Sequence, residues 1–519
     1  MSEDLRQDFN LLDEPWLPVR LEDGRIEELG LLDVFRRSRE ITALAETAPP
    51  NLVAQYRLLL AVVHRALSRA FPQGWKDKDR ARWYREGLPA DAIAGYLAHW
   101  RERFWLFHPE HPFMQVAALA DAEETRDKRK PWTQIALASA NGNTPVVFDH
   151  AWDNAPTAIR PADAIRTLLG FLQFTPGGLV KTLRDADKAG ALVNTAAVVP
   201  VGANLAQTLV LCLQGWKTDE DLPAWERPPL TVADLRAAPV LATGPNDRYT
   251  RQSRAVLLRR EADGQVQWLH FAAGFALGED ANAPDPMASF RAGSNGLVRL
   301  SFGDGRALWR DLPALVPNPT GASQPAAVLN HAIALHEQLN PFESVYQPIL
   351  VAGLASDQAK LLRWRSERLV LPVSLLEDAG KALFLRERVE KAEALFSDIR
   401  MAATSMLAET LPTPASKDTR NRARSLLDAG PCAASYYATA ERTLPELLHL
   451  LGEGDYAQAT TLWNAALRLS AQTAWRSVVS ALGQSPRALR ADARFLPRFH
   501  GLLNKHVPVS EPSTIAKEA

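Results

Sequence analysis

The sequence predicts an α+β protein, with a large mixed domain over residues 1–370 followed by a C-terminal four-helix bundle over residues 371–519. Three observations lead there. A chain of 519 residues exceeds the roughly 250–300 at which one hydrophobic core stops growing, so at least two domains are expected. Before about Leu371, helical and β-like segments alternate with Pro- and Gly-rich turns. After it the chain runs in long, Ala/Leu-rich, almost glycine-free stretches.

Taken in order, Trp16–Arg20 and Ile26–Leu29 flank the turn signal Asp23-Gly24 and predict a short hairpin. From Asn51 to Ala70, Leu52, Val53, Tyr56, Leu59, Leu60, Val63 and Leu67 recur at helical spacing, which predicts a buried amphipathic helix. The Trp- and Arg-rich stretch 77–107 reads as helical, as do Ala162–Phe174 and Asn204–Gln214. Short β-like runs at Ala255–Leu258, Val266–Leu269 and Leu297–Leu300, set off by Asp263-Gly264 and Asp304-Gly305, place strands in this domain. Beyond it, Val389, Ala392, Leu395, Phe396, Ile399, Ala403 and Met406 share one helix face, and similar patterns cover about 434–452, 455–482 and 485–503.

Composition narrows the function classes. Hydrophobic residues make up 46% and charged residues 23%, as in ordinary globular proteins. No apolar run reaches the ~18–20 residues needed to cross a bilayer and the N-terminus is acidic, so a cytoplasmic protein with no membrane partner is expected. Cys212 and Cys432, the two cysteines, read as reduced core thiols, which excludes a zinc site built on cysteine. A net charge of −1 means that any nucleic-acid binding must come from local patches.

No G-x-S-x-G, H-E-x-x-H, Walker or G-x-G-x-x-G pattern is present, so neither an enzyme nor a cofactor is expected. His108-Pro109-Glu110-His111 lacks helical metal-ligand spacing because of its prolines. Phe174-Thr175-Pro176-Gly177-Gly178, with Lys181 and Arg184 following, is either a helix C-cap and turn or a loop whose bare backbone approaches a ligand. Ser356-Asp357-Gln358 sits at a turn before a basic stretch; it is either an ordinary hairpin tip or a polar wedge for a DNA groove. Ser485-Pro486 is an N-cap with proline at N1, and Arg487, Arg490, Arg494 and Arg498 share a face if the helix survives Pro497. That face is a phosphate track or a solvated bundle surface.

Asn10-Leu11-Leu12-Asp13-Glu14-Pro15-Trp16, His111-Pro112-Phe113-Met114-Gln115, Arg248-Tyr249-Thr250, Pro284-Asp285-Pro286-Met287 and the Asp357-Gln358 turn, in this order, resemble the large subunit of the type I-E CRISPR Cascade complex, the CasA family. The resemblance implies a non-catalytic subunit that recognises the protospacer-adjacent motif (PAM) in double-stranded DNA, starts strand separation and helps recruit a helicase-nuclease. Its implied partners are crRNA, the backbone and small helical subunits, target duplex and that nuclease.

Residue by residue, the resemblance makes Gly177 and Gly178, with Lys181, the PAM glycine loop. Gln358, flanked by Ser356 and Asp357, becomes the wedge, and Phe148 the docking loop towards the crRNA handle. The family's lysine finger has no lysine counterpart, leaving Arg251 and Arg254 as candidate minor-groove fingers, and Asp357 replaces a neutral amide. A structural scaffold without DNA contact, or an unrecognised hydrolase, is the alternative.

Overall fold

A computed structural model describes residues 7–137, 153–178, 180, 182–215, 220–280, 282–339, 345–357 and 360–508, with the side chains of Ser356, Asp357, Lys360 and Leu361 left aside. The described chain mixes helix and sheet and ends in a helical region, as the patterning predicts. Two compact units emerge: 1–303 with 324–370, and 304–323 with 371–519.

In the first unit the helix Pro49–Ala70 is the central element, with proline at its start and Leu59, Val62, Val63 and Leu67 fully buried. Helix Pro161–Phe174 packs against it at Gly170, where a methyl group would fall 2.0 Å from Asn51 Oδ1. The predicted hairpin forms as Leu17–Leu21 paired with Ile26–Leu29, and Ile41–Leu44 joins its other edge. Strands Arg254–Arg260 and Val266–Ala273 pair antiparallel across the Asp263-Gly264 turn. Their inner residues Ala255, Leu257 and Ala272 form a core cluster with Val116, Leu119 and Leu235.

A three-stranded sheet sets the central strand Tyr346–Asp357 between its hairpin partner Lys360–Pro372 and Ala196–Pro200. The pairing with Ala196–Pro200 is antiparallel, in register from Ile349 opposite Pro200 to Gly353 opposite Ala196. Its partner Lys360–Pro372 alternates outward residues such as Leu362, Trp364 and Val370 with half-buried ones, the period-2 pattern of an edge strand.

The conspicuous sequence motifs mostly build this unit's interior. Trp16 is fully buried and donates from Nε1 to the Leu11 carbonyl at 3.0 Å. Phe113 stacks on Phe104 and on Trp225, which also touch each other, and the Gln115 amide bridges the Leu106 carbonyl and the Leu258 N–H. Arg57 and Asp285 form a bidentate ion pair at 3.0 and 2.9 Å with neither side chain exposed, and the guanidinium also lies over the Tyr249 ring. Burial alone would push the Asp285 carboxyl up; the Arg57 and Arg248 charges hold it below the ordinary carboxylate range.

The second unit is segmented more finely than four helices. Its helices are Ala379–Thr410, Lys417–Ala429, Cys432–Glu441, Leu444–Glu453, Tyr456–Leu482 and Pro486–His506, after the short Val373–Glu377. The predicted 434–452 helix is two, broken before Leu444-Pro445; Pro445 has no N–H to bond back to the preceding turn and sits in the first turn of the second helix, where none is needed. Helix Lys417–Ala429 escaped the sequence reading because its charged residues outnumber its apolar ones. Pro497 does not end the last helix.

Asp304–Ser323, sequence-adjacent to the first unit, clusters with these helices instead. Trp309 is the anchor, packing edge-on to Trp463 and beside Tyr437, while Arg310 pairs with Glu393 at 2.6 Å. Cys212 and Cys432 are both buried free thiols.

Candidate nucleic-acid interface

Helix Pro161–Phe174 stops at Thr175-Pro176, and the chain then makes a loop that returns at Gly190. The base is closed by Gly190 N–H donating to the Thr175 carbonyl at 2.8 Å. A methyl at Gly190 would lie 2.5 Å from the Gln173 carbonyl oxygen, so only glycine permits this approach. Higher up, Gly178 and Asp187 exchange backbone hydrogen bonds of 3.2 and 2.9 Å. Gly177 and Gly178 are exposed, and Gly178 has φ +150° with no atom within 4 Å of where a Cβ would stand. The result is a strip of bare main chain open to solvent. Lys181 lies outside the described residues, and Arg184 turns inward to Asp187 at 2.8 Å and to the Ala237 carbonyl at 3.0 Å.

After Gly190 the chain enters the strand Ala196–Pro200, which pairs with the strand leading to Ser356 and Asp357. At Gly353 a methyl would sit 2.1 Å from the Thr195 carbonyl oxygen and 3.2 Å from the Phe174 ring. The glycine loop and the hairpin therefore diverge from one point. Four residue-to-residue steps of about 3.3 Å each lead from Gly353 to Asp357, and three steps lead from Phe174 to Gly177. Allowing for the Phe174 side chain that links the two, the end of the hairpin arm is held within roughly 35 Å of the glycines. Ser356 and Asp357 end that arm, while Gln358 and Phe148 lie outside the described residues.

Arg251 and Arg254 are not fingers. Arg251 is buried, pairs with Asp247 at 2.5 Å and covers the Phe275 ring. Arg254 is buried and pairs with Asp187 at 3.0 Å, donating also to the Pro176 and Lys188 carbonyls. Burial pulls the Arg254 guanidinium down, and the Asp187 charge opposes that pull. Arg251 meets an acid four residues back, whereas the acid that holds Arg254 comes from 67 residues away and is not legible beside it in the sequence.

In the second unit Arg487, Arg490, Arg494 and Arg498 are exposed on the last helix, but they are not equivalent. Arg487 donates to the Glu409 and Leu411 carbonyls at 3.0 and 2.7 Å, closing the end of helix Ala379–Thr410. Arg494 pairs with Glu409 at 3.0 Å, and Arg490 donates from Nε to Pro486 in its own helix.

Arg498 instead lines a groove of about 720 Å³ together with Met401, Ala408 and Phe495. Arg420 and Arg424 line it too, and these three arginines have no partner among the described residues. Arg400 adjoins them but is held by Asp428 at 2.7 Å. Arg420 and Arg424 were missed, although their i, i+4 spacing was a legible signal once helix Lys417–Ala429 is recognised.

His108 and His111 stack at 3.6 Å, with His108 Nδ1 accepting from the Glu110 and His111 N–H groups. Among the described residues no group of three or more His, Cys, Asp or Glu is placed to hold a metal ion, and no helix is long and apolar enough to cross a membrane.

Residues 10–474 match the family model for the CRISPR-associated protein Cse1. The CRISPR-associated protein CasA/Cse1 of Thermus thermophilus is 34% identical over 513 residues, covering 96% of this chain and 97% of that protein. The solved structure of Thermus thermophilus CasA (Cse1) superposes with a TM-score of 0.82 at 30% identity, over 96% of this chain and all of that one. A chain of a structure named CRISPR RNA-guided surveillance complex shares the fold, with a TM-score of 0.74 at 22% identity over 95% of this chain and all of that one. With motifs, fold and extent in agreement, the chain belongs to the CRISPR-associated Cse1 (CasA) family.

Proposed function

We propose that this chain is the large subunit of a type I-E RNA-guided surveillance complex, reading the PAM of a DNA duplex and starting its opening. The observation that carries this reading is the shared origin of two projecting elements: the exposed Gly177-Gly178 strip and the hairpin arm ending at Ser356 and Asp357, joined at Gly353. A side-chain-free backbone suits the floor of a minor groove, where width and close approach matter more than base-specific donors. Lys181 is the nearby cation for phosphate, and Gln358 is the wedge.

The wedge has a limited task. Unstacking one base step costs a few kcal/mol, while the RNA–DNA heteroduplex roughly balances the DNA duplex that it replaces. Protein contacts need only tip the first step. On this reading the C-terminal groove takes up the displaced strand, its uncommitted Arg420, Arg424 and Arg498 serving the phosphates. In this reading crRNA, the backbone and small helical subunits hold the chain through a docking loop at Phe148. Cutting is left to a recruited helicase-nuclease.

Gln358→Ala in the assembled complex tests this. Assembly with RNA and the other subunits is expected to be unchanged, while opening of the duplex, followed by a fluorescent base analogue beside the PAM, slows about tenfold, equivalent to about 1.4 kcal/mol. Opening at the wild-type rate removes the wedge.

A further inference from the structure

We propose that the buried Asp187–Arg254 pair is the positioning device of the glycine loop, and that it governs PAM discrimination without touching DNA; this rests on the reading of that loop given above.

The bonding of Arg254 is divided between the two arms of the loop. One nitrogen donates to the Pro176 carbonyl at 2.5 Å, next to Gly177, and the other donates to the Lys188 carbonyl at 2.7 Å on the returning arm and to Asp187 at 3.0 Å. Asp187 in turn exchanges backbone hydrogen bonds with Gly178. Gly177 and Gly178 are therefore framed by a carbonyl that Arg254 holds and by the residue with which Arg254 is paired.

The carboxylate is fully committed. Oδ2 accepts from Arg254 and from Gly274 N–H at 2.8 Å; Oδ1 accepts from Arg184 and from Lys188 N–H at 2.8 and 2.9 Å. Gly274 must be glycine, since a methyl there would lie 2.3 Å from Arg254 N. Its carbonyl also accepts from Arg184.

A buried ion pair adds little net stability compared with apolar residues of the same size. What this one contributes is geometry. A planar fork addressing Pro176, Asp187 and Lys188 of the loop, and the Ser253 carbonyl beside it, fixes the height of the loop above strand Arg254–Arg260, while the outer face of Gly178 stays clear. A shift of about 1 Å in a recognition loop is enough to lose a well-placed contact.

The experiment uses the assembled RNA-guided complex and a pool of duplexes carrying one fixed target beside a short randomised block. Sequencing the bound fraction gives the enrichment of the best block over the median, whichever PAM the complex prefers. Arg254→Lys keeps the charge opposite Asp187 but cannot reach Pro176 and Lys188 together, and Asp187→Leu with Arg254→Met replaces the pair by apolar volume. Enrichment is expected to fall about tenfold in the double variant, or about 1.4 kcal/mol, and severalfold in Arg254→Lys. Binding to a target already opened as a bubble should stay at the wild-type value in Arg254→Lys, whose melting temperature falls by only a few degrees for the buried hydrogen bond it gives up.

Wild-type enrichment in Arg254→Lys overturns the proposal, as does an equal loss of binding to duplex and bubble, which would mark a purely structural pair. Gly178→Val separates the two levels. If it abolishes enrichment while Arg254→Lys does not, the loop reads the PAM and the brace is irrelevant; if it leaves enrichment intact, the reading of the loop itself fails.

Discussion

Alanine substitution in the C-terminal unit should separate engaged arginines from uncommitted ones. Arg420, Arg424 and Arg498 line the groove with no partner among the described residues, so replacing all three removes charge that is available to a DNA strand. Each phosphate contact on a single strand contributes about 0.7 to the slope of log affinity against log salt, so three account for about 2. Doubling the salt from about 0.1 to about 0.2 M should then weaken the wild-type complex about fourfold more than the triple variant.

Arg487→Ala makes the contrast. Its guanidinium is spent on the Glu409 and Leu411 carbonyls, so the slope should stay at the wild-type value while the end of helix Ala379–Thr410 loses about 1 kcal/mol of hydrogen bonding. Fluorescence anisotropy of the assembled complex on a forked, end-labelled duplex across a salt series measures both. A triple variant with the wild-type slope, or an equal slope loss in Arg487→Ala, would refute the division of roles.

Gly353→Ala places a methyl 2.1 Å from the Thr195 carbonyl, a backbone atom that cannot swing away; the cost should be about 1–3 kcal/mol, with duplex opening impaired and RNA assembly kept. Normal opening by this variant would show that the hairpin base need not abut the glycine loop. Asp285→Asn leaves the Arg57 charge buried without its counter-ion and should destabilise the first unit by about 3–5 kcal/mol in urea denaturation, whereas Arg57→Met with Asp285→Leu recovers most of that; equal losses in both variants would contradict this. Burial pulls His64 down to about 4. Neutral when folded but protonating near 6.5 when unfolded, it stabilises fully above about pH 6.5, and about 2 kcal/mol disappears as pH falls from about 7.5 to about 5. His64→Gln should flatten the urea midpoint across that window, and an undiminished slope would remove His64 from the account.

Periodicity alone located the helices that frame the site, because apolar spacing at i, i+3 and i+4 is a local property: Pro49–Ala70 and Pro161–Phe174 stand within two residues of their expected limits. The ordered motifs were likewise enough to suggest the family. Their roles were not legible, since Arg248-Tyr249-Thr250 and Pro284-Asp285-Pro286-Met287 meet in a buried cluster around Arg57, 228 residues before Asp285.

Charge was the least legible property. Arg251, Arg254, Arg487 and Arg494 look free in the sequence and are spent in the fold, whereas Arg498, together with Arg420 and Arg424 on an unrecognised helix, has no partner among the described residues. Whether a guanidinium faces an acid, a carbonyl or solvent depends on which distant segment returns beside it. Sheet pairing had the same effect at Gly353 and Ala196, bringing the hairpin to the glycine loop by a register that neither segment encodes by itself.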